Sequence, residues 1–266
     1  MDAQQMELAA HVADFLAKLD VRYCQHAKTR VGGENDGGYV VVERFCNQAD
    51  VLLSFGIGDD VSFEKDFAKR FSPKKIFLCD PNVDSPDVSP FEESFKFLKW
   101  DARTLSEAGG SLAKAIGIDL TYSSMLKMDV EFGEWDAILR TPEEVFKRFL
   151  QIVIELHVML VPPNTQNLSP YFSDLYRFVN TEMQIEMLRT FKMGLSRLLQ
   201  NHVIVHGHPN NSLPKQCVAG YEFPQLIELT LVRRDLIATN QPTLETFPTE
   251  WDAPNKTDRP DIAWTV

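Results

Sequence analysis

Asp129, Glu155, His157 and His206 each interrupt or end a run of apolar residues. Asp129 lies in Ser124–Val130, a segment followed by Glu131. Glu155 and His157 alternate within Gln151–His157 (QIVIELH), so on a strand they share one face and point away from Leu156. His206 follows His202–Val205, and His208 and Asn210 come shortly after it. A carboxylate and histidines gathered at strand ends suit either a general base or a divalent metal ion. No close-spaced ligand motif supports the metal, so proton transfer is the favoured reading and no metal is assigned. Lone histidines are usually satisfied structural residues, and His202 is read so; His157 and His206, beside Asp129, are the functional candidates.

A second group of residues suits a ligand rather than a reaction. Val51–Glu64 (VLLSFGIGDDVSFE) reads as a buried strand, a Gly56-Ile57-Gly58 turn and a helix start. Glycine lets the backbone approach a ligand where a Cβ would collide. An acid then stands at the end of each of the next three predicted strands: Asp80, Asp101 and Asp129. An acid after the second strand can accept both hydroxyls of a ribose, and Asp101 can accept from an adenine amine. A dinucleotide site wants a third glycine and a pyrophosphate on the helix N-terminus. Here Asp59 and Asp60 stand where the pyrophosphate would lie, and like charge there is unfavourable. A ligand carrying a cationic sulfonium and an amine matches better. Lys127 shares a face with Asp129 and can pair with it or with Glu131; a plain buried ion pair is an equal reading. The glycine-rich turn in Arg30–Val42 and Tyr39 border the ligand site in this reading, with a plain hairpin as the alternative.

The elements that must position these residues follow from periodicity. Leu8, Val12, Phe15, Leu16 and Leu19 recur at helical spacing. Strands are expected at Val51–Phe55, Lys75–Cys79, Phe95–Trp100, Ser124–Val130, Gln151–His157, His202–Val205 and Leu226–Val232. Helices are expected at Ser62–Phe71, Leu105–Ile116, Glu134–Phe149 with a break near Pro142, and Phe172–Leu199. This alternation predicts a doubly wound α/β fold with a mostly parallel seven-stranded sheet, its sixth and seventh strands antiparallel at one edge. The expected division is an N-terminal helix and hairpin over 1–49, the main domain over 50–235 and a tail over 236–266.

The 266 residues carry a net charge of −11. That disfavours nucleic acid and anionic membrane as unassisted partners. No apolar run reaches the roughly 20 residues that span a bilayer, and the acidic N-terminus lacks a signal pattern. The four cysteines are scattered without paired spacing, which reads as reduced thiols in a cytoplasmic protein.

DGGYVV, SFGIGDDVSFE, FLCDP, KMDVEFGEWDAI, IVIELH, NHVIVHGHPN and GYEFPQLIELTLVRRD together resemble the FkbM-type methyltransferase-like family. These are class I S-adenosylmethionine-dependent methyltransferases with a Rossmann-like sheet, and the resemblance runs from about Arg30 to Asp235. One departure is local: the family has glycine after the first Glu of KMDVE, where this chain has Phe132 and then Gly133. The resemblance implies S-adenosylmethionine as cofactor, held by Gly56, Gly58, Asp80 and Asp101, with Asp129 at the reaction centre. It implies O-methylation of a small-molecule or sugar hydroxyl; transfer to a hydroxyl needs a base, and Asp129 or His157 is then the expected proton acceptor. Two other classes stay open: a nicotinamide oxidoreductase on a similar sheet, and a binding domain that keeps the fold without turnover.

Overall fold

A computed structural model describes residues 2–109, 123–160, 179–237 and 241–264, with side chains 107–109 also outside the description. The chain opens with α1 (Ala3–Leu16), whose first turn is capped by the Asp2 carboxylate accepting from Gln5 N, and buries Leu8, Val12 and Phe15. An antiparallel hairpin follows, β1 (Lys28–Gly32) with β2 (Gly38–Val42), then a short α2 (Glu43–Asn47). The core then alternates through β3 (Val51–Phe55), α3 (Ser62–Phe71), β4 (Lys75–Cys79), β5 (Phe95–Leu98) and β6 (Ser124–Met128). It continues through α4 (Gly133–Arg140), α5 (Glu143–Phe146), β7 (Phe149–His157), α6 (Thr181–Asn201) and β8 (His202–Pro209). A small hairpin of β9 (Gln216–Val218) and β10 (Tyr221–Phe223) precedes β11 (Leu226–Arg233).

The seven-stranded sheet has the order β5-β4-β3-β6-β7-β11-β8. β3 is parallel to both β4 and β6, so the chain winds outward in opposite directions from this pair. A crevice forms outside the carboxyl ends of β3 and β6, the place where such sheets take ligands. β11 is antiparallel to β7 on one side and to β8 on the other. The expected antiparallel pairing of the last two long strands is therefore present, with the refinement that β11 inserts between β7 and β8 and leaves β8 at the edge.

The two faces of the sheet differ in chemistry. One face presents Leu53, Phe55, Leu126, Met128, Ile152, Ile154, Leu156 and Leu229 to Phe15, Trp135, Phe191 and Leu195 of the helices. The other face is apolar beneath the hairpin and α3, where Leu52, Ile76 and Leu78 meet Val31, Tyr39, Phe63 and Phe67. Towards β7, β11 and β8 that same face turns polar: Glu155, His157, Glu228, Thr230, His206 and His208 are all buried. Buried polar groups need partners, and the C-terminal segment supplies several. Asp252 meets His206 and Asp261 meets His208, while Glu245 meets Lys28 on the hairpin.

Two expectations fall partly outside the described residues. Of the helix expected over Leu105–Ile116, a 3₁₀ turn covers Ala102–Gly109, and the rest lies outside. Of the helix expected over Phe172–Leu199, residues 172–178 lie outside; α6 starts at Thr181, where the Asn180 side chain accepts from Met183 N. Among the described residues no helix is long and apolar enough to cross a membrane.

Candidate functional site

A cavity of about 830 Å³ opens at the crevice between β3 and β6. Gly56, Gly58, Asp80, Asp101 and Asp129 all line it, together with Tyr39 and Lys127. The two glycines serve different ends. Gly56 has φ +73°, and a Cβ there would overlap the Asp129 carbonyl oxygen, so this glycine lets the ends of β3 and β6 meet. Gly58 has φ +50° with open space where a Cβ would project, so its backbone borders the cavity.

The carboxylates at the strand ends are held by short local hydrogen bonds. Asp80 accepts from Gly58 N at 3.1 Å and from Asn82 N at 2.8 Å, which fixes it across the glycine turn. Asp101 accepts from Arg103 N at 2.8 Å and from its Nη2 at 2.6 Å. The Arg103 hydrogen bond outweighs partial burial and lowers the Asp101 pKa. Asp129 Oδ2 accepts from Tyr39 OH at 2.8 Å, a contact across 90 residues of sequence. Burial, with the Asp129 charge next, pushes the Tyr39 phenol well above its usual value, so Tyr39 acts as donor. Lys127 departs from expectation. Its ammonium pairs with neither Asp129 nor Glu131 but donates to the Gly56 carbonyl at 3.0 Å, with the Tyr39 ring 5.5 Å away.

Behind Asp129 lie Glu155 and His157, and one ligand-type atom from each of the three falls within 4.8 Å of the others. Glu155 Oε1 accepts from Asn210 Nδ2 at 2.6 Å. Burial, with the Asp129 charge second, raises its pKa well above the carboxylate range. His157 is buried and its ring is gripped at both nitrogens: Nδ1 lies 3.2 Å from Glu134 Oε1 and Nε2 lies 3.3 Å from Glu131 Oε2. Burial alone would lower its pKa, but the hydrogen bonds to Glu131 and Glu134 outweigh it and raise the value well above that of a free imidazole. Glu134 also accepts from His157 N at 2.8 Å, and Trp135 Nε1 donates to the His157 carbonyl at 2.8 Å. The connecting loop is unusual, because Glu131 (φ +49°) and Phe132 (φ +73°) are both left-handed. Each such residue costs about 1–3 kcal/mol. The Phe132 ring packs 5.1 Å from the His157 ring.

His206 does not join this group. It lies inside β8 rather than after it, opposite Thr230 of β11, and so stands two strands from β7. Its Nε2 meets Asp252 Oδ1 of the tail at 2.8 Å, and burial lowers its pKa. The sixth strand is longer than its apolar run, because the tail supplies polar partners to residues that read as the start of a loop. His202 is buried with Nε2 3.0 Å from the Phe149 carbonyl, in keeping with a structural role. The residues that sequence reasoning underweighted are Glu134 and Asn210. Asn210 sits just past the end of β8, which is the sequence signal for it, whereas Glu134 lies in the first turn of α4 and is marked in the sequence by its place in KMDVEFGEWDAI.

No family model and no curated protein matches the chain. Solved structures resemble it at low similarity. One is a Streptococcus thermophilus protein described as a candidate hemolysin, with 12% identity and a TM-score of 0.40, covering 74% of this chain and 62% of that one. A second is the Methanococcus jannaschii fibrillarin pre-rRNA processing protein, with 10% identity and a TM-score of 0.38, covering 71% of this chain and 68% of that one. A third is M. jannaschii TYW2 in complex with AdoMet, with 13% identity and a TM-score of 0.30, covering 79% and 89%. The chain thus spans less than two thirds of the first of these.

Proposed function

We propose that this chain is an S-adenosylmethionine-dependent methyltransferase that methylates a hydroxyl of a small molecule or sugar. The observation that carries the reading is the charge of the cavity at the β3–β6 crevice. Among the described residues eight carboxylates line it, against Lys127 and Arg103 as cations, and Lys127 is spent on the Gly56 carbonyl. Such a cavity rejects a pyrophosphate and favours a ligand with a cationic centre. The insertion of β11 also departs from the strand order of dinucleotide-binding sheets. The FkbM-type assignment rests on the sequence motifs.

The residues present fit the cofactor. Each Asp80 oxygen accepts one backbone hydrogen bond and keeps a lone pair for a ribose hydroxyl. The open side of Gly58 admits close approach, and Asp101 stands further along the same wall. Bound there, the cofactor would supply an electrophilic methyl group on a sulfonium. The protein's part is alignment, plus acceptance of the proton that the acceptor oxygen loses. Asp129 is the residue for that proton, because it faces the cavity and Tyr39 holds its other side. His157 is a poor base, since both ring nitrogens already face carboxylates.

Calorimetric titration with S-adenosylmethionine and, separately, with NAD tests the cofactor. Binding of NAD but not S-adenosylmethionine would replace this reading with an oxidoreductase. Cofactor binding without methyl release, across a screen of hydroxylated small molecules and sugars, would leave a binding domain.

A further inference from the structure

We propose that Asp129, Glu155 and His157 form a binding site for one divalent first-row metal ion behind the cavity, with Asp129 as the ligand that also lines it. The donor set is one imidazole nitrogen and two carboxylate oxygens, brought within 4.8 Å of one another from the ends of two adjacent strands. This set suits Mn²⁺, Co²⁺ or Zn²⁺.

The surroundings of the three residues are those of metal ligands. A ligating histidine usually turns its other ring nitrogen to a carboxylate, and ligating carboxylates are themselves hydrogen-bonded. His157 Nδ1 faces Glu134, which is 0% exposed and whose Oε2 is buried without a hydrogen-bond partner. Tyr39 holds one oxygen of Asp129, and Asn210 holds one oxygen of Glu155. His157 Nε2 faces Glu131, whose side chain is 77% exposed and would have to swing aside for the ion.

Charge balance points the same way. Asp129, Glu131, Glu134 and Glu155 surround a single imidazole, and the neighbouring Lys127 is turned to Gly56. Glu155 also pairs in register with Glu228 of β11, whose own partners are His208 and Asn255. Of these, Glu134 and Glu155 are buried and Asp129 is half-buried, and carboxylates there in excess of their counter-charges are costly unless a cation or protons compensate. A divalent ion supplies two positive charges at the focus of the group.

The proposal rests on the methyltransferase reading only for the ion's use, which would be to polarise the acceptor hydroxyl, its proton passing to the Asp129 lone pair that neither Tyr39 nor the ion takes. Ion binding itself needs neither cofactor nor acceptor. The test is therefore titration of chelator-stripped protein with Co²⁺ alone, followed by visible absorption, and with Mn²⁺ alone, followed by electron paramagnetic resonance. The expected result is one ion per chain with an imidazole signature. Glu155→Gln and His157→Gln should each abolish stoichiometric binding, and Glu134→Gln should weaken it about 10–100-fold. Near-ultraviolet circular dichroism checks that each variant is folded. No stoichiometric ion in the wild-type protein overturns the site whatever the variants do, as does binding that folded Glu155→Gln and His157→Gln retain. S-adenosylmethionine titrated in chelator separates the two readings: cofactor binding without ion binding removes only the metal site. Ion binding without cofactor binding removes only the methyltransferase.

Discussion

Lys127 Nζ donates to the Gly56 carbonyl at 3.0 Å, so a buried cation on β6 holds the glycine turn that follows β3. The two strands already touch there through Gly56 and Asp129, and the Tyr39 hydroxyl closes the arrangement from the hairpin. Turn, acid and hairpin are thus one unit. Lys127→Met keeps the apolar stem and removes the donor. It should leave the fold intact but weaken S-adenosylmethionine binding, by about 1.5–3 kcal/mol if the turn loses its register. Calorimetry beside a urea melt checks this; equal affinity with equal stability would show that the turn holds its shape unaided.

Asp80 accepts from Gly58 N and Asn82 N while facing the cavity, so it bears on both turn and ligand. Asp80→Ala should weaken cofactor affinity by about 1.5–3 kcal/mol, the range for hydrogen bonds to a charged group. Asp80→Asn, which retains an acceptor, should fall between the two. Unchanged affinity in a folded Asp80→Ala protein removes Asp80 from the cofactor site.

Asp129 is the proton acceptor in the proposed reaction. Asp129→Asn keeps an oxygen for the Tyr39 hydroxyl but cannot take the proton. Single-turnover methyl transfer should slow by about 10²–10⁴-fold. Tyr39→Phe removes only the hydrogen bond that orients Asp129, so its loss should be smaller. A fully active Asp129→Asn enzyme would rule out the carboxylate as base.

His208 sits between Glu228 of β11 and Asp261 of the tail, with 3.1 Å contacts to each. Burial opposes its charged form, but the hydrogen bonds to Asp261 and Glu228 raise its pKa from 6.5 to about 10. A pKa raised on folding contributes stability that is fully present below the unfolded value of 6.5 and is lost as pH rises towards about 10. Urea unfolding of the wild-type protein should show stability falling across that window. His208→Gln should be less stable at pH 6.5 and show a shallower decline. Parallel profiles for the two proteins would mean that His208 is not the group responsible.

The sequence by itself determined the alternation of strands and helices. Apolar runs such as Val51–Phe55 and Lys75–Cys79 cover buried parallel strands whose residues need no distant partner to be recognised. It also placed Gly56, Gly58, Asp80, Asp101 and Asp129 at one end of the sheet, because a parallel sheet puts every strand's carboxyl end on one side. Tertiary structure alone decided what each polar residue meets. Glu155 and His157 gather behind Asp129 because β6 and β7 are neighbours, whereas His206 is taken by Asp252, 46 residues later in the chain. Lys127 turned to a backbone carbonyl, a partner that no side-chain pattern reveals. Periodicity reports which face of an element is buried; it does not report which element covers that face. On the polar side of this sheet the covering elements are a hairpin from the N-terminal region and a tail from the C-terminal region, and their charges choose the partners.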